Sequence, residues 1–304
     1  MSRVGVLTTV RNVWRKNAPE VIGMFDGSLP AFVTARQPRD IGSSVPIFCY
    51  HLVEPERFRA DLQFLQNNGY RTLSATAFLE HLQGKRQAPE RSVLLTFDDG
   101  PKNFYDVAFP LLKEFDAHVL AFIAPGLHAE AGVDANIELR PMDWREIGEI
   151  HRSGLVEFHS HTFESRYVPG WPRPASLCGC EPALEESRRS ATPLSLRDDL
   201  QRSREMLESR LPGFQVKHLS FPQYIGTPEA VELAQSLGFE ACHWGYIPQR
   251  PMNKPGDSPF FISRTSDEFL QRLPGTGRAT MIDMVRERLH RIREARAWRR
   301  RYPH

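Results

Sequence analysis

At 304 residues, 40% hydrophobic and 25% charged, the chain can bury a sizeable core and has the composition of an ordinary globular protein. Its 39 Lys and Arg against 37 Asp and Glu give a net charge of +2, so nothing in the charge balance calls for a nucleic-acid partner and none is expected. No run approaches the roughly 18 to 20 apolar residues that span a bilayer, which argues against an integral membrane protein.

The start, "MSRVGVLTTVRNVWRKNAPEVIG", is interrupted by Arg11, Arg15 and Lys16 before an apolar stretch of signal-peptide length forms, so a cytoplasmic location is expected. Residues 1–43 have no clear periodicity and contain three prolines, and read as an extension lying over the main domain. "VPIFCYHLV" is the first strand, apolar on both faces. A helix follows with Phe58, Leu62 and Leu65 at helical spacing, and Gly69 is placed to stop it. "RTLS" and a helix from Ala75 to Gln83 complete another strand-helix unit.

The pattern repeats with "SVLLTFDD" as a strand, "FYDVAFPLLKEFD" as a helix and "HVLAFIAPG" as a strand. "MDWREIGEIHRSGL" is helical up to Ser153-Gly154, and "VEFHSHT" is the next strand. Residues 168–197, rich in Pro, Ser, Arg and Gly, predict a long loop, and Ser195 is placed to cap the helix after it. "VKHLSFPQYIG", "PEAVELAQSLGF" and "EACHWGY" continue strand, helix, strand, and "FFISRTS" is a last short strand. Strands apolar on both faces that alternate with helices predict an α/β fold on a parallel sheet, either a barrel or a doubly wound sheet, with chemistry at the carboxyl ends of the strands.

Three segments carry candidate chemistry. "LLTFDDG" delivers adjacent carboxylates, Asp98 and Asp99, at a strand end, where a cation would let one ligate and the other act as a base; an Asp-Asp-Gly-Pro turn capping the next helix is the plain alternative. "EFHSHT" places His159 and His161 on the same side of a continuing strand, and with Asp99 they suit zinc or a similar divalent ion. "LSFPQYIG" ends a later strand, where the Tyr224 N–H is a candidate donor to a developing oxyanion. Cys178-Gly179-Cys180 departs from zinc-site spacing, and the four cysteines read as reduced thiols.

"TFDDG", "EFHSHT" and "FPQYIG", in that order, resemble the polysaccharide deacetylases of the NodB homology type, carbohydrate esterase family four, and the resemblance covers roughly residues 45 to 266. It implies a distorted (β/α) barrel over 44–270, preceded by the 1–43 extension and followed by a basic helix over 271–304. It implies a metal-dependent hydrolase that removes N-acetyl groups from an amino sugar of a polysaccharide or lipopolysaccharide precursor, with a divalent metal, zinc foremost, as cofactor. In that reading Asp98 is the catalytic base, Asp99 and His161 are metal ligands, and the Tyr224 N–H helps to hold the oxyanion. His51 and Pro222 fall on the substrate side, and Arg264 stands where the family has a catalytic-acid histidine, also as a substrate-side residue.

The sequence departs from the family four to five residues after His161, where Ser165 and Arg166 stand in place of a second histidine. A hydroxyl is a weak ligand and a guanidinium is none, so His159, Glu164 or water completes the site, or the barrel has lost activity and binds glycan or a partner protein. Hydrolysis of another amide or imide is a further alternative. In the tail, Met281, Val285, Leu289 and Ile292 share a helical stripe, and nine arginines lie within 278–301 against three acidic residues. A solvated basic face is the simple reading; the sharper one is contact with an anionic membrane surface, peripheral to the inner membrane face.

Overall fold

A computed structural model describes residues 18–130, 140–165, 168, 194–284, 286–288 and 290. Eight strands, β1 (Ile47–Tyr50), β2 (Arg71–Thr72), β3 (Ser92–Asp98), β4 (Val119–Ile123), β5 (Val156–Ser160), β6 (His218–Ser220), β7 (Ala241–His243) and β8 (Thr265–Ser266), form one parallel sheet. The order along it is β7-β6-β5-β4-β3-β1-β8, with β2 beside β3. The sheet curls so that the segment before β8 reaches the opposite edge: Ile262 bridges His243 of β7, while Thr265 pairs with Phe48 of β1. This closure decides between the two parallel-sheet folds that the strand pattern leaves open, and it is the distorted (β/α) barrel that the resemblance implies.

Alternation along each strand divides the core in two. Phe48, Tyr50, Val93, Leu95, Phe97, Val119, Ala121, Ile123 and Phe158 belong to the larger core, which also takes in helical residues such as Leu62, Leu112, Ile147 and Leu207. Ile47, Leu94, Leu120, Phe122, Ala241 and Ile262 form the smaller core that fills the barrel, closed by Phe78, Leu79 and Leu82 of the helix Ala75–Leu82. Burial on both sides is why these strands read as continuous apolar runs.

Helix starts follow the capping chemistry. Asp143 and Glu146 form a reciprocal capping box for the helix Trp144–Arg152, and Ser195 accepts from the Asp198 N–H at the start of Leu196–Arg210. The predicted helix "FYDVAFPLLKEFD" is a π-helical turn, Phe104–Ala108, that runs into an α-helix, Phe109–Phe115. Pro110 lacks the N–H that would close an α-helical bond back to Asp106, so the wider turn falls where that bond is missing.

Within the predicted extension, Leu29, Phe32 and Val33 join the larger core, and Arg272 donates to the carbonyls of Val33 and Ala35. Most of the predicted 168–197 loop lies outside the described residues, as do Arg166, Cys178 and Cys180. Cys49 and Cys242 are buried and reduced, with no disulfide among the described residues. The tail helix begins against the barrel, with Met284 buried and Arg288 within 3.2 Å of Glu268; Val285, Leu289 and 291–304 lie outside the described residues. No helix among the described residues is long and apolar enough to cross a membrane.

Candidate active site

The end of β3 delivers two carboxylates into different settings. Asp98, the last strand residue, is 1% exposed, whereas Asp99 turns into the left-handed region at φ 71° and its side chain is 34% exposed. Asp tolerates that conformation better than most residues, and the turn separates two side chains that would otherwise repel at close range.

Asp98 is held by Arg264. Both guanidinium ends reach its oxygens, at 2.7 Å to Oδ1 and 2.9 Å to Oδ2. The remaining Arg264 donors go to Thr96 Oγ1 at 3.3 Å, Ser220 Oγ at 2.8 Å and the Trp244 carbonyl at 2.9 Å. Burial alone would raise the Asp98 carboxyl, but the Arg264 charge, His161, the paired hydrogen bonds and His51 outweigh it and hold the group well below the usual carboxylate range. Asp98 is therefore an oriented anion. The reading of Arg264 as a substrate-side residue is corrected: every N–H of its guanidinium is already engaged inside the barrel.

His161 follows β5, on a turn fixed from several sides. Its N–H donates to the Ile123 carbonyl, the Thr162 N–H to Ser160 Oγ, and the Phe163 N–H to Asp199 Oδ1. His161 Nδ1 lies 2.9 Å from the Ser220 carbonyl, which can only accept, so Nδ1 carries the proton and Nε2 presents its lone pair. Nε2 lies 3.5 Å from Asp99 Oδ1. A nitrogen and an oxygen bound to one tetrahedral zinc stand about 3.4 Å apart, so the two side chains fit two positions of a divalent ion, and the Ser220 carbonyl is the outer partner such a histidine requires. Among the described residues no third His, Cys, Asp or Glu donor lies within 4.8 Å of both. Ser165 is buried and left-handed at φ 53°, and Glu164 is half-buried.

His159 does not complete this site. Its ring packs against Phe122, Phe214 and His218, with centroids at 6.3, 5.0 and 4.7 Å, one layer deeper in the barrel. Alternation does fix the side of a strand, but two residues of rise, about 6.6 Å, exceed the span of one coordination shell.

Tyr224 is also corrected. Its N–H donates to the Phe221 carbonyl at 2.9 Å, inside a turn where Gln223 and Tyr224 are both left-handed, at φ 56° and 69°, so the amide is not directed at a substrate. The side chain faces the site instead: its hydroxyl lies 3.8 Å from Cys49 Sγ, its ring 5.9 Å from that of His51, and the Arg264 guanidinium lies over it at 5.5 Å. Pro222 is buried at the base of the turn. Donor atoms of Cys49, His51 and Asp98 lie within 4.8 Å of one another. Sequence reading passed over Cys49 and Thr96, although each stands two residues before a candidate, His51 and Asp98, and so shares its face.

The sequence profile described as "Polysaccharide deacetylase" matches residues 85–242, a span that contains Asp98, Asp99, His161 and the turn at Tyr224. The chain belongs to the polysaccharide deacetylase family. Over 122 residues, 38% of this chain, it is 33% identical to a poly-beta-1,6-N-acetyl-D-glucosamine N-deacetylase of Escherichia coli K12, and the match spans 18% of that longer relative. A Staphylococcus aureus protein of the same description is 22% identical over 223 residues, 73% of this chain and 70% of the relative. Among solved structures, IcaB from Ammonifex degensii superposes with a TM-score of 0.58 at 26% identity, over 74% of this chain and 92% of that one.

Proposed function

We propose that this polysaccharide deacetylase barrel hydrolyses the N-acetyl group of an N-acetylglucosamine unit in a polysaccharide or its precursor, releasing acetate and a free amine. The observation that carries the reading is the pairing of two carboxylates with separate tasks at one mouth, Asp98 locked by Arg264 and Asp99 facing the lone pair of His161. The relatives described as acting on poly-beta-1,6-N-acetyl-D-glucosamine support that polymer as the first substrate to test.

Asp99 and His161 would hold the divalent ion, zinc by donor type, which supplies Lewis-acid polarisation of the acetyl carbonyl when bound. Asp98 accepts the proton of the attacking water. Its ion pair with Arg264 lowers its basicity but fixes the carboxylate, so its contribution is chiefly orientation. The C–N bond then breaks, and the departing nitrogen takes the proton that Asp98 accepted, with His51, the half-buried imidazole beside Asp98, placed to pass it on. The Tyr224 hydroxyl, kept protonated by burial and by the charges of Cys49 and Asp98, is the donor on the Cys49 side of the mouth.

The test is acetate release from N-acetylated β-1,6-glucosamine oligomers by chelator-treated protein with divalent ions restored. Asp98→Asn and His161→Ala are expected to lose at least a hundredfold in rate, and Asp99→Asn to lose metal affinity. Ser165, where a histidine ligand is expected, favours a second reading, a barrel that binds glycan without turnover. Glycan binding with no acetate under any ion would select it.

The membrane contact proposed for 278–301 is narrower on the described residues. Arg278 donates to the carbonyls of Phe32, Ala35 and Arg272, whereas the Arg286 side chain is 78% exposed. Flotation with anionic liposomes, comparing the full chain with one ending at residue 277, tests the contact, and equal binding by the two forms rejects it.

A further inference from the structure

The mouth that holds Asp99 and His161 has a second set of donors beside them. Donor atoms of Cys49, His51 and Asp98 all lie within 4.8 Å of one another, and among the described residues no other three His, Cys, Asp or Glu side chains do so. The sheet itself brings them together. In the parallel pairing of β1 with β3, Cys49 stands opposite Thr96 and Tyr50 opposite Phe97, so His51 and Asp98 follow next in register. Side chains alternate, which puts Cys49, two residues before His51, on the same face, and neighbouring strands about 4.8 Å apart set the donor spacing across it. Cys49 and Asp98 are buried while His51 is half-buried, so the set is reached from the mouth past the imidazole.

Non-bonded donor atoms stay at least about 2.7 Å apart, so three that fit within 4.8 Å form a triangle and never a line. Their common centre is no more than about 2.8 Å from each, whereas a tetrahedral zinc takes sulfur at about 2.3 Å and nitrogen or oxygen at about 2.0 to 2.2 Å, so a contraction of less than about 1 Å completes three corners. Arg264 does not stand in the way. Its paired hydrogen bonds occupy one lone pair on each Asp98 oxygen, and a carboxylate has about four such positions. The Tyr224 hydroxyl, 3.8 Å from Cys49 Sγ, is an outer hydrogen-bond donor to the sulfur. Thiolate, carboxylate and guanidinium sum to one negative charge, which a divalent ion offsets as the thiol proton leaves to solvent.

We propose that Cys49, His51 and Asp98 form a second metal site, selective for zinc and softer divalent ions, and that filling it stops turnover at the neighbouring deacetylase centre. A thiolate with an imidazole selects zinc over magnesium, calcium and manganese, which prefer oxygen. The inhibition rests on the proposed reaction: an ion held here takes the lone pairs of Asp98 and His51, the groups that accept the proton and pass it on. With three protein donors, one of them a thiolate, against Asp99 and His161 at the other centre, the range of zinc that fills the catalytic pair alone is narrow.

The test begins with untagged, reduced, chelator-stripped full chain carrying Cys178→Ser and Cys180→Ser, so that Cys49 and Cys242 are its only thiols. With Asp99→Asn and His161→Ala added, this protein should bind one equivalent of cobalt with thiolate-to-cobalt charge-transfer absorption, and zinc should displace it. Cys49→Ser should remove that absorption, and His51→Gln should weaken binding at least tenfold, with circular dichroism unchanged. No thiolate absorption, or one that survives Cys49→Ser, rejects the site. Where Asp99 and His161 are kept, acetate release should fall at least tenfold as zinc rises from one to several equivalents, and should hold when magnesium is added instead. The same zinc series in Cys49→Ser, each rate taken against its own value at one equivalent, should stay flat. Equal inhibition of both forms rejects the link to turnover. Charge-transfer absorption without acetate release under any ion keeps the site and rejects the deacetylase reading instead.

Discussion

Arg264 and Asp98 meet through two parallel hydrogen bonds with side-chain exposures of 0% and 1%, across 166 residues of sequence. A fully buried pair of this kind contributes modestly against an apolar replacement, but removing one partner leaves the other charge stranded. Arg264→Met should therefore destabilise the protein by about 3 to 5 kcal/mol. The double variant Asp98→Asn/Arg264→Met should recover part of that loss without recovering activity. Urea unfolding of both singles and the double gives the coupling directly, and additive losses would contradict the pairing.

Ser220 serves both halves of the candidate site, its hydroxyl accepting from Arg264 and its carbonyl from His161. Ser220→Ala removes the first contact and keeps the second. The expected loss is about 1 to 3 kcal/mol from one unsatisfied guanidinium donor, with metal affinity changed far less than by Asp99→Asn. Calorimetric zinc titration beside thermal unfolding separates the two effects.

Glu20, in the helical residues 18–26, ties that segment to β8 by accepting from the Ser266 N–H at 2.7 Å. Burial, reinforced by Glu268, pushes its carboxyl up to about 7. A folded-state pKa raised above the unfolded value means that the folded protein holds the extra proton between about pH 4.5 and 7. The stability this contributes is complete below that window and is lost as pH rises through it. Glu20→Gln keeps the acceptor without the charge. It should match wild type near pH 4.5 and exceed it at pH 8, by up to about 3 kcal/mol. Melting curves at the two pH values check the sign.

Gly245 follows Trp244 just beyond β7, and a Cβ there would stand 2.5 Å from Tyr224 Cβ, a distance that real Cβ atoms do not show. Gly245→Ala must displace either the Tyr224 turn or its own backbone, which accepts the Arg264 N–H and donates to the Tyr224 carbonyl. A cost of about 2 kcal/mol or more is expected, with lowered turnover because Tyr224 shifts relative to Cys49 and His51. Unchanged melting and turnover would show the turn to be more pliant than its packing implies.

The strands were legible because burial on both faces writes long apolar runs such as "SVLLTFDD", and the carboxylates at the end of that run marked the site. Depth and closure were not legible. The alternation that places His159 and His161 on one side says nothing of the layer each occupies, so His159 reads from the sequence as a partner of His161 and Asp99. Arg264 looked like a substitute for a missing acid because its partner Asp98 becomes its neighbour only when the last strand closes the sheet. The Tyr224 amide was misjudged because two consecutive left-handed residues turn it back onto Phe221, a conformation that nothing in "FPQYIG" announces.

Closure by the final strand also sets an order of assembly. A nascent chain that has completed β3 holds Asp98 in an apolar wall, and its counter-charge arrives only with residue 264, after β4 to β7 have been made. Contacts of such long sequence separation form late and slowly, and until they form, both edges of the curled sheet stay open to other chains. A chain released before residue 264 would have strands and helices in place but a solvated, unfinished centre. It would be expected to aggregate, so the Asp98–Arg264 ion pair forms only in a chain whose synthesis has reached the end of the barrel.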